Sequence, residues 1–251
     1  MRLLFNSINR QSIIASITGF VYLVVLIGLI VMNNRNSMIH YAISPYIYAS
    51  EPIDFFFSLI VTVPFAVYTF FLKKDHFLDY VELRISQRRY VYIHIVSVLI
   101  SCMIMVFIVN FIGVIFSCKI AKIVPVGDKP SLAYYILGDM QMFKPIIFGA
   151  IWSFYKAIVG AIICLFAQII ALYVSNLFLA LIFPFIYVLL ENFFTSIIGL
   201  SRFSLTTTFV LNRLTPNSMK IGNMIIGILI FVAIIVVTHK ILRIRLKNES
   251  Y

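Results

Sequence analysis

The sequence has few charged residues and lacks the short motifs of several enzyme classes. Only 12% of its 251 residues are charged, against about 25% in soluble domains. It contains no Gly-Lys dipeptide for a phosphate-binding loop, and neither an HExxH nor a GxSxG motif. These absences argue against a soluble domain, a P-loop ATPase, and an intramembrane metalloprotease or serine hydrolase.

Cysteine and histidine are also sparse. Cys102, Cys118 and Cys164 form no CxxC pair, and the four histidines are scattered along the chain. Their spacing fits neither a disulfide framework nor a metal site. We therefore expect no metal and no cofactor in this chain, and ordinary apolar packing for the three thiols.

Long apolar runs dominate what is present. Hydrophobic residues make up 62% of the chain, and the mean hydropathy is +1.05. A membrane-spanning helix needs about 20 mostly apolar residues, whereas barrel strands alternate and are about half as long. The sequence predicts an all-α membrane protein with six transmembrane helices, at Ile13 to Met32, Phe55 to Leu72, Tyr92 to Phe116, Ile146 to Val174, Leu177 to Leu200 and Ile221 to Thr238.

The formal net charge of +11 raises the possibility of nucleic-acid binding. The basic residues, however, lie in short clusters between apolar runs and form no single basic face. Cytoplasmic loops of membrane proteins accumulate lysine and arginine, and eleven of these residues fall on the side of the two termini against eight on the other. We therefore expect a lipid bilayer as the partner, no nucleic acid, and both termini in the cytoplasm.

The sequence thus predicts that residues 1–251 form a single transmembrane domain. The run from Ile13 is too long for a signal-peptide core, so it is expected to be a retained first helix after an interfacial N-terminal segment, 1–12. Cytoplasmic segments are expected at 73–91 and 239–251, and outer loops at 33–54, 119–145 and 201–220. Pro45, Pro52, Pro125 and Pro130 are expected to form turns in the first two outer loops. The third outer loop has room for a short helix that lies in the membrane interface.

The expected cytoplasmic segment 73–91 contains the stretch "KDHFLDYVELRISQRR". Its acids precede its arginines, so both ends of a helix there would complement the helix dipole. A short helix with charges on one side and aromatic residues on another suits docking into a protein cleft or lying on lipid. The alternative is an ordinary basic loop of the kind that flanks membrane helices.

Two stretches resemble the ABC-2 type permease subunits of ATP-binding cassette exporters. The family's loop between helices two and three commonly reads as an acidic residue, then R-x-S-R-[RK]-x-Y, and "ELRISQRRYVYIHIVSVL" is similar, with Gln87 as an extra residue. The family's short polar turn before an apolar run into proline is similar to "YVSNLFLALIFPFIYVLL", with Pro184 in place. That turn, at Ser175 and Asn176, also predicts an antiparallel hairpin.

The resemblance implies a six-helix, type V exporter-like half-transporter in a bacterial cytoplasmic membrane. Two separate ATPase subunits would bind ATP and magnesium, and a second copy or a sister permease would complete the transporter. The segment from Asp79 to Arg89 would then be the coupling helix. Its coupling residues would be Asp79, Glu82, Arg84, Arg88, Arg89 and Tyr90.

The resemblance also bears on the outer loops. Short helices that dip back from outside between helices five and six would correspond to Asn192 to Pro216. The second outer loop is longer than is usual in the family.

Two charged residues lie within predicted spans, where an unpaired charge is costly. A hairpin turn at Ser175 and Asn176 brings Lys156 and Glu191 to depths about 6 Å apart. They are expected to form a structural ion pair or to mark a polar point on a transport path. Asn110, Gln168 and Asn192 are expected to form hydrogen bonds between helices, and Asn110 and Asn192 are also candidates for polar positions on the transport path.

Small residues recur at fourfold spacing along the fourth predicted helix. Such a stripe lets helices approach closely, within one subunit or at a dimer seam. It comprises Gly149, Ser153, Ala157 and Ala161.

The resemblance implies that the chain is part of an exporter, and because the spans carry little fixed charge, a hydrophobic or amphipathic cargo is expected rather than an ion or a sugar. A peptide such as a bacteriocin or toxin is the first candidate cargo, and a drug or lipid the second. The alternatives are an ATP-independent secondary transporter or channel, which would favour midplane ionisable residues and inverted repeats, and a membrane immunity or sensor component.

Overall fold

The computed structural model of the chain describes residues 2–36, 39–75, 86–123, 136–211 and 221–249. Every regular element within these ranges is helical. The α-helices are α1 (Arg2–Asn36), α2 (Ser44–Phe55), α3 (Phe57–Lys74), α4 (Gln87–Ile120), α5 (Gly138–Phe143), α6 (Pro145–Tyr173), α7 (Leu177–Ile197), α8 (Leu205–Phe209) and α9 (Ile221–Glu249), and a 3₁₀ turn covers Ser201–Phe203.

Six of these helices, α1, α3, α4, α6, α7 and α9, are long and apolar enough to cross a membrane. Each overlaps one of the six predicted runs closely. The predicted all-α architecture with six helices able to cross a membrane is therefore confirmed for the described residues. The apolar segments are Gln11–Arg35, Phe57–Lys74, Arg89–Ile120, Pro145–Tyr173, Leu177–Ile197 and Gly222–Leu242.

Helix α6 is the centre of the bundle. In its most apolar stretch 72% of the residues are buried, whereas the value is 17% for both α7 and α9. It packs most extensively on α4 and α3, and α1 packs on the other side of α4. The apolar faces that α1, α7 and α9 leave exposed are what lipid-facing helices require.

The two ends of the bundle can be told apart. Six spans bring the start of α1 and the end of α9 to the same side, which we call the terminal face. Lys74, Gln87 and Tyr173 also lie there, and the Tyr173 hydroxyl lies 3.3 Å from His239 Nδ1 of α9. The opposite side, where α1 ends and α2 begins, is the loop face.

The first predicted outer loop contains a helix, which corrects the expectation for its prolines. Pro45 occupies the first turn of α2, and Pro52 lies inside that helix. A first-turn proline costs no hydrogen bond, because the N–H groups there have no partner within the helix. The turn predicted at these prolines is therefore wrong, and the second half of the predicted loop, 44–54, descends into the bundle as α2.

Three predicted boundaries also change. Helix α1 is continuous from Arg2, so the expected interfacial segment 1–12 joins the first span without a break, and α9 continues through much of the predicted tail 239–251. Helix α4 begins at Gln87, so Arg88, Arg89 and Tyr90 belong to its first turn. The expected coupling residues Asp79, Glu82 and Arg84 lie outside the described residues.

The later connections agree better with expectation. The predicted hairpin forms at residues 174–176, where the Asn176 side chain accepts a hydrogen bond of 3.3 Å from the Leu179 N–H and caps α7. The third outer loop contains the 3₁₀ turn and α8, so the expected short helix is present, but it is buried in the bundle and does not lie in the interface as expected. In the second outer loop, α5 is described, whereas 124–135, with Pro125 and Pro130, lie outside the described residues.

Candidate functional site: a buried ion pair between two apolar cores

Lys156 of α6 forms an ion pair with Asp54 of α2 inside the bundle. Lys156 is 0% exposed and Asp54 is 2% exposed. A charge so deeply buried is costly unless it is paired. The pair therefore neutralises two groups that the apolar interior could not hold separately.

A one-residue interruption between α2 and α3 brings Asp54 to this position. Helix α2 ends at Phe55 and α3 begins at Phe57, so Phe56 alone separates them. The Phe56 N–H donates to Ile53 O at 2.9 Å, which closes the last turn of α2. Asp54 thus lies in that last turn, where the lysine charge also compensates the negative end of the helix dipole.

Two tyrosines and an asparagine surround the ion pair. The hydroxyls of Tyr22 and Tyr46 donate to Asn110 Oδ1 at 3.3 and 2.8 Å, and both hydroxyls lie close enough to interact with the charge of Lys156. Asn110 Nδ2 donates to Val106 O of its own helix at 2.8 Å. The polar cluster therefore ties α1, α2, α4 and α6 together, and the expected interhelical role of Asn110 is confirmed.

The cluster lies where two apolar cores meet. Tyr22 and Tyr46 belong to the core nearer the loop face, whereas Phe57 and Ala157 belong to the core nearer the terminal face. Lys156 Nζ also lies 5.2 Å from the centre of the Phe57 ring, in cation–π range. The cluster is shielded from solvent, and its charges and tyrosine hydroxyls find their partners within it. Its contacts can therefore hold four helices in one arrangement.

The expected ion pair between Lys156 and Glu191 is wrong. The expectation compared depths within the α6–α7 hairpin alone and placed Asp54 in an outer loop. Because α2 descends into the bundle, it brings a nearer carboxylate to Lys156. The clue in the sequence was an acid immediately before the apolar run "FFFSLIVTV".

Glu191 instead holds the segment that follows its own helix. Its carboxylate accepts a hydrogen bond of 2.8 Å from the Ser204 hydroxyl. The Leu205 N–H also donates to both carboxylate oxygens, at 3.2 Å each. Ser204 also caps α8, since its Oγ accepts from the Thr206 N–H at 3.2 Å. Glu191 therefore fixes the start of α8 against α7.

Helix α8 is buried within the bundle. All five of its residues, Leu205 to Phe209, are buried. On α9, a Cβ at Gly227 would lie 2.8 Å from Thr208 Cγ2 and 3.1 Å from Phe203 O. The glycine thus lets the 3₁₀ turn and α8 approach α9 closely.

A second polar group lies nearer the terminal face. Thr69 of α3 donates to Gln168 Oε1 of α6, and its Oγ1 lies 2.8 Å from His94 Nε2 of α4. The His94 ring stacks on Tyr90 with 6.4 Å between ring centres. These contacts join α3, α4 and α6, so Gln168 has the interhelical role expected of it, and Tyr90 packs along α4.

The small residues of α6 pack inside the subunit. Gly149, Ser153, Ala157 and Ala161 are all buried, and a Cβ at Gly149 would collide with Val114 of α4. The small residues are therefore covered by α4 and other helices of the same chain. This confirms that they pack within one subunit and do not form a dimer seam.

The remaining expected site residues are dispersed. Arg89 is exposed at the start of α4, and Asn192 is half-buried on α7, where its carbonyl accepts from the Ser196 hydroxyl at 2.7 Å. Cys102, Cys118 and Cys164 are free thiols. The described residues contain no group of three or more histidine, cysteine or acidic side chains able to hold a metal.

Comparisons with protein-family profiles, with curated proteins and with solved structures give no match. The function is therefore inferred from the residue patterns of the chain together with its geometry.

Proposed function

We propose that this chain is an ABC-2 type permease subunit of a bacterial ATP-binding cassette exporter, and that it moves a hydrophobic or amphipathic substrate out of the cell. The observation that carries the proposal is the short-helix segment between the fifth and sixth spans. The resemblance implies helices that dip back between these spans, and the 3₁₀ turn and α8 lie at that place in the chain. The burial of α8, the close approach of both elements to α9 at Gly227, and the hydrogen bonds from Ser204 and Leu205 to Glu191 support the assignment.

Helix α4 connects the expected coupling segment to the interior of the bundle. It runs without interruption from Gln87 to Ile120, so a pull on the segment 79–89 acts directly on its first turn. Along its length α4 carries His94 and Asn110, which belong to the two buried polar groups. Motion imposed by two ATPase subunits at the terminal face would therefore reach both groups, and the half-transporter would rock against its second copy or sister permease.

The interior favours an apolar cargo. The charge of Lys156 is neutralised by Asp54, and the Glu191 carboxylate already accepts hydrogen bonds from Ser204 and Leu205. Little fixed charge is left along the described spans to bind an ion or a sugar. A peptide such as a bacteriocin or toxin remains the first candidate, and a drug or lipid the second.

The test is co-purification of ATPase activity. The tagged chain is purified in mild detergent from its host, as wild type, as Glu82→Ala with Arg88→Ala, and as a control with Asp139→Ala and Lys144→Ala near the loop face. We expect ATP hydrolysis to accompany the wild type and the control and to be lost from the double variant. Hydrolysis absent from all three, or equal in all three, contradicts the proposal.

A labelling experiment tests the side on which coupling occurs. Ser86→Cys in a Cys118→Ala background places one accessible thiol immediately before α4, while Cys102 and Cys164 stay buried. We expect a membrane-impermeant maleimide to label it in inverted vesicles and not in intact cells. Labelling in intact cells alone would place the segment on the wrong side for a cytoplasmic motor.

A second candidate is an ATP-independent secondary transporter, which the Lys156–Asp54 pair favours. Buried ionisable pairs between helices recur in ion-coupled transporters. Reconstituted liposomes without any ATPase distinguish the two: cargo uptake driven by a pH gradient, and lost in Asp54→Asn with Lys156→Met, would establish the second candidate.

A further inference from the structure

Two cysteines face each other at the seam between α4 and α6. These helices run antiparallel and pack closely, since a Cβ at Gly160 of α6 would lie 3.4 Å from Val106 Cγ2 of α4. One turn further along α6 is Cys164, and one turn back along α4 is Cys102. The register therefore places the two side chains opposite each other, and their thiols lie within hydrogen-bonding range.

Neither thiol reaches the surface. Cys102 and Cys164 are each 0% exposed, and both belong to the apolar core nearer the terminal face. Buried free cysteines commonly act as small apolar side chains, and packing alone would account for Cys102. The surroundings of Cys164 are more specific than packing requires.

A chain of hydrogen-bond donors ends at the Cys164 sulfur. With its Nε2 protonated, His94 donates to Thr69 Oγ1 at 2.8 Å, and the Thr69 hydroxyl donates to Gln168 Oε1. This orients the Gln168 amide, whose Nε2 donates to Cys164 Sγ at 3.9 Å. Donors aligned in one direction strengthen one another, and a donor directed at a sulfur favours the thiolate, which is the nucleophilic form. Cys164 is therefore the better nucleophile of the pair.

We propose that Cys102 and Cys164 are a redox-active dithiol, which closes to a disulfide between α4 and α6 when a small, uncharged disulfide reaches it from the lipid phase. The Cys164 thiolate attacks one sulfur of this oxidant and displaces the other half as a thiolate, which takes up the proton that Cys164 lost. The Cys102 thiol then loses its proton, attacks the Cys164 sulfur and displaces the second half. Two protein thiols and one oxidant disulfide thus become one protein disulfide and two small thiols.

A disulfide suits this interior better than a bound cation. Two thiolates around a soft monovalent cation would leave a net negative charge in an apolar core, where an unpaired charge is costly. Among the described residues, no group of three histidine, cysteine or acidic side chains includes the pair. The disulfide is uncharged and joins the central helix α6 covalently to α4. The proposal concerns only these two helices and does not depend on the exporter assignment.

The experiment treats the full chain in lipid nanodiscs with the uncharged reagent dithiodipyridine. A Cys118→Ala background leaves Cys102 and Cys164 as its only thiols. We expect release of about two equivalents of thiopyridone per chain, an intact mass lower by two hydrogen atoms, and return of both thiols after reduction with a dithiol. The doubly charged reagent dithiobis(nitrobenzoate) should not react with the native chain, because neither thiol is exposed.

The matched control moves one thiol by a single residue. Cys102→Ser with Met103→Cys keeps two thiols but turns one of them about 100° around α4. We expect the disulfide to form at least about tenfold more slowly there, because the two sulfurs no longer face each other. Fluorescence of Trp152, the chain's one tryptophan, checks that each variant is folded.

Three further variants test the order of attack. Cys102→Ser and Cys164→Ser should each stop at one mixed disulfide, and the variant that retains Cys164 should react faster. Gln168→Met removes the donor at the Cys164 sulfur and should slow the first exchange roughly threefold to tenfold. A first exchange unaffected by Gln168→Met overturns the assignment of Cys164 as the attacking sulfur.

Three outcomes overturn the dithiol itself. The first is a mixed disulfide that persists on the native pair and releases no second thiopyridone. The second is a disulfide that forms equally fast in the control with Met103→Cys. The third is a native chain that does not react with dithiodipyridine, although the same chain reacts once it is unfolded.

Discussion

The Lys156 ammonium and the Asp54 carboxylate pair across more than 100 residues of sequence, and neither side chain reaches solvent: their exposures are 0% and 1%. Removal of one partner leaves the other charged inside an apolar core. Removal of both leaves two neutral groups of similar volume. This asymmetry makes the pair open to direct testing.

Lys156→Met should destabilise the protein by about 3 to 5 kcal/mol, because it leaves the Asp54 carboxylate buried without a counter-charge. The double variant Asp54→Asn with Lys156→Met should recover most of that loss. Thermal unfolding can be followed with a thiol-reactive dye, which reports when the buried Cys102 and Cys164 become accessible.

The controls for this prediction are Lys144→Met and Asp139→Asn, which change the same residue types at exposed positions near α5. We expect each to change stability by less than about 0.5 kcal/mol. Additive losses from the two single substitutions, with no recovery in the double variant, would show that the two charges do not depend on each other.

Glu191→Gln should loosen the 3₁₀ turn and α8, because it removes the charge that strengthens the hydrogen bonds to Ser204 and Leu205. Such bonds contribute about 1.5 to 3 kcal/mol, so hydrogen–deuterium exchange of the amides at 201–211 should accelerate about tenfold or more. Exchange in α4 provides the internal reference. Unchanged rates at 201–211 would mean that packing against α9 alone holds the segment.

Gly149→Ala should separate α4 from α6, because its Cβ would collide with Val114. We expect a loss of about 1 to 3 kcal/mol and a partial recovery when Val114→Ala is added. Gly222→Ala is the matched control: a Cβ at Gly222 meets nothing within 4 Å, so the better helix propensity of alanine should leave stability equal or higher. A Gly149→Ala variant as stable as the control would refute the close contact.

Asn110→Leu should destabilise the protein by about 1 to 3 kcal/mol, because the Tyr22 and Tyr46 hydroxyls would lose their acceptor in a buried site. Adding Tyr22→Phe and Tyr46→Phe removes these hydroxyls and should restore part of the loss. The dye-based unfolding measurement compares Asn110→Leu with and without the phenylalanine substitutions. If these substitutions bring no recovery, the hydroxyls have other acceptors.

Local residue patterns were sufficient for the spans and for the packing stripe. Length and apolarity alone decide whether a helix can cross a bilayer, so the six runs were readable residue by residue. The stripe from Gly149 to Ala161 was readable because helical periodicity places these residues on one face. The hairpin at Asn176 followed from a polar interruption too short for any other connection.

The polar contacts could not be read in this way. The sequence showed that Lys156 and Glu191 need partners, since the cost of an unpaired charge in an apolar interior is independent of the fold. The partner of Lys156 lies 102 residues away and is brought to it by the descent of α2. The partner of Glu191, Ser204, is only 13 residues away, but it reaches the carboxylate because the chain turns back against α7 after that helix ends. The sequence therefore determined which charged groups need a partner, and the tertiary structure decided which partner each one has, because only folding brings these segments within hydrogen-bonding distance.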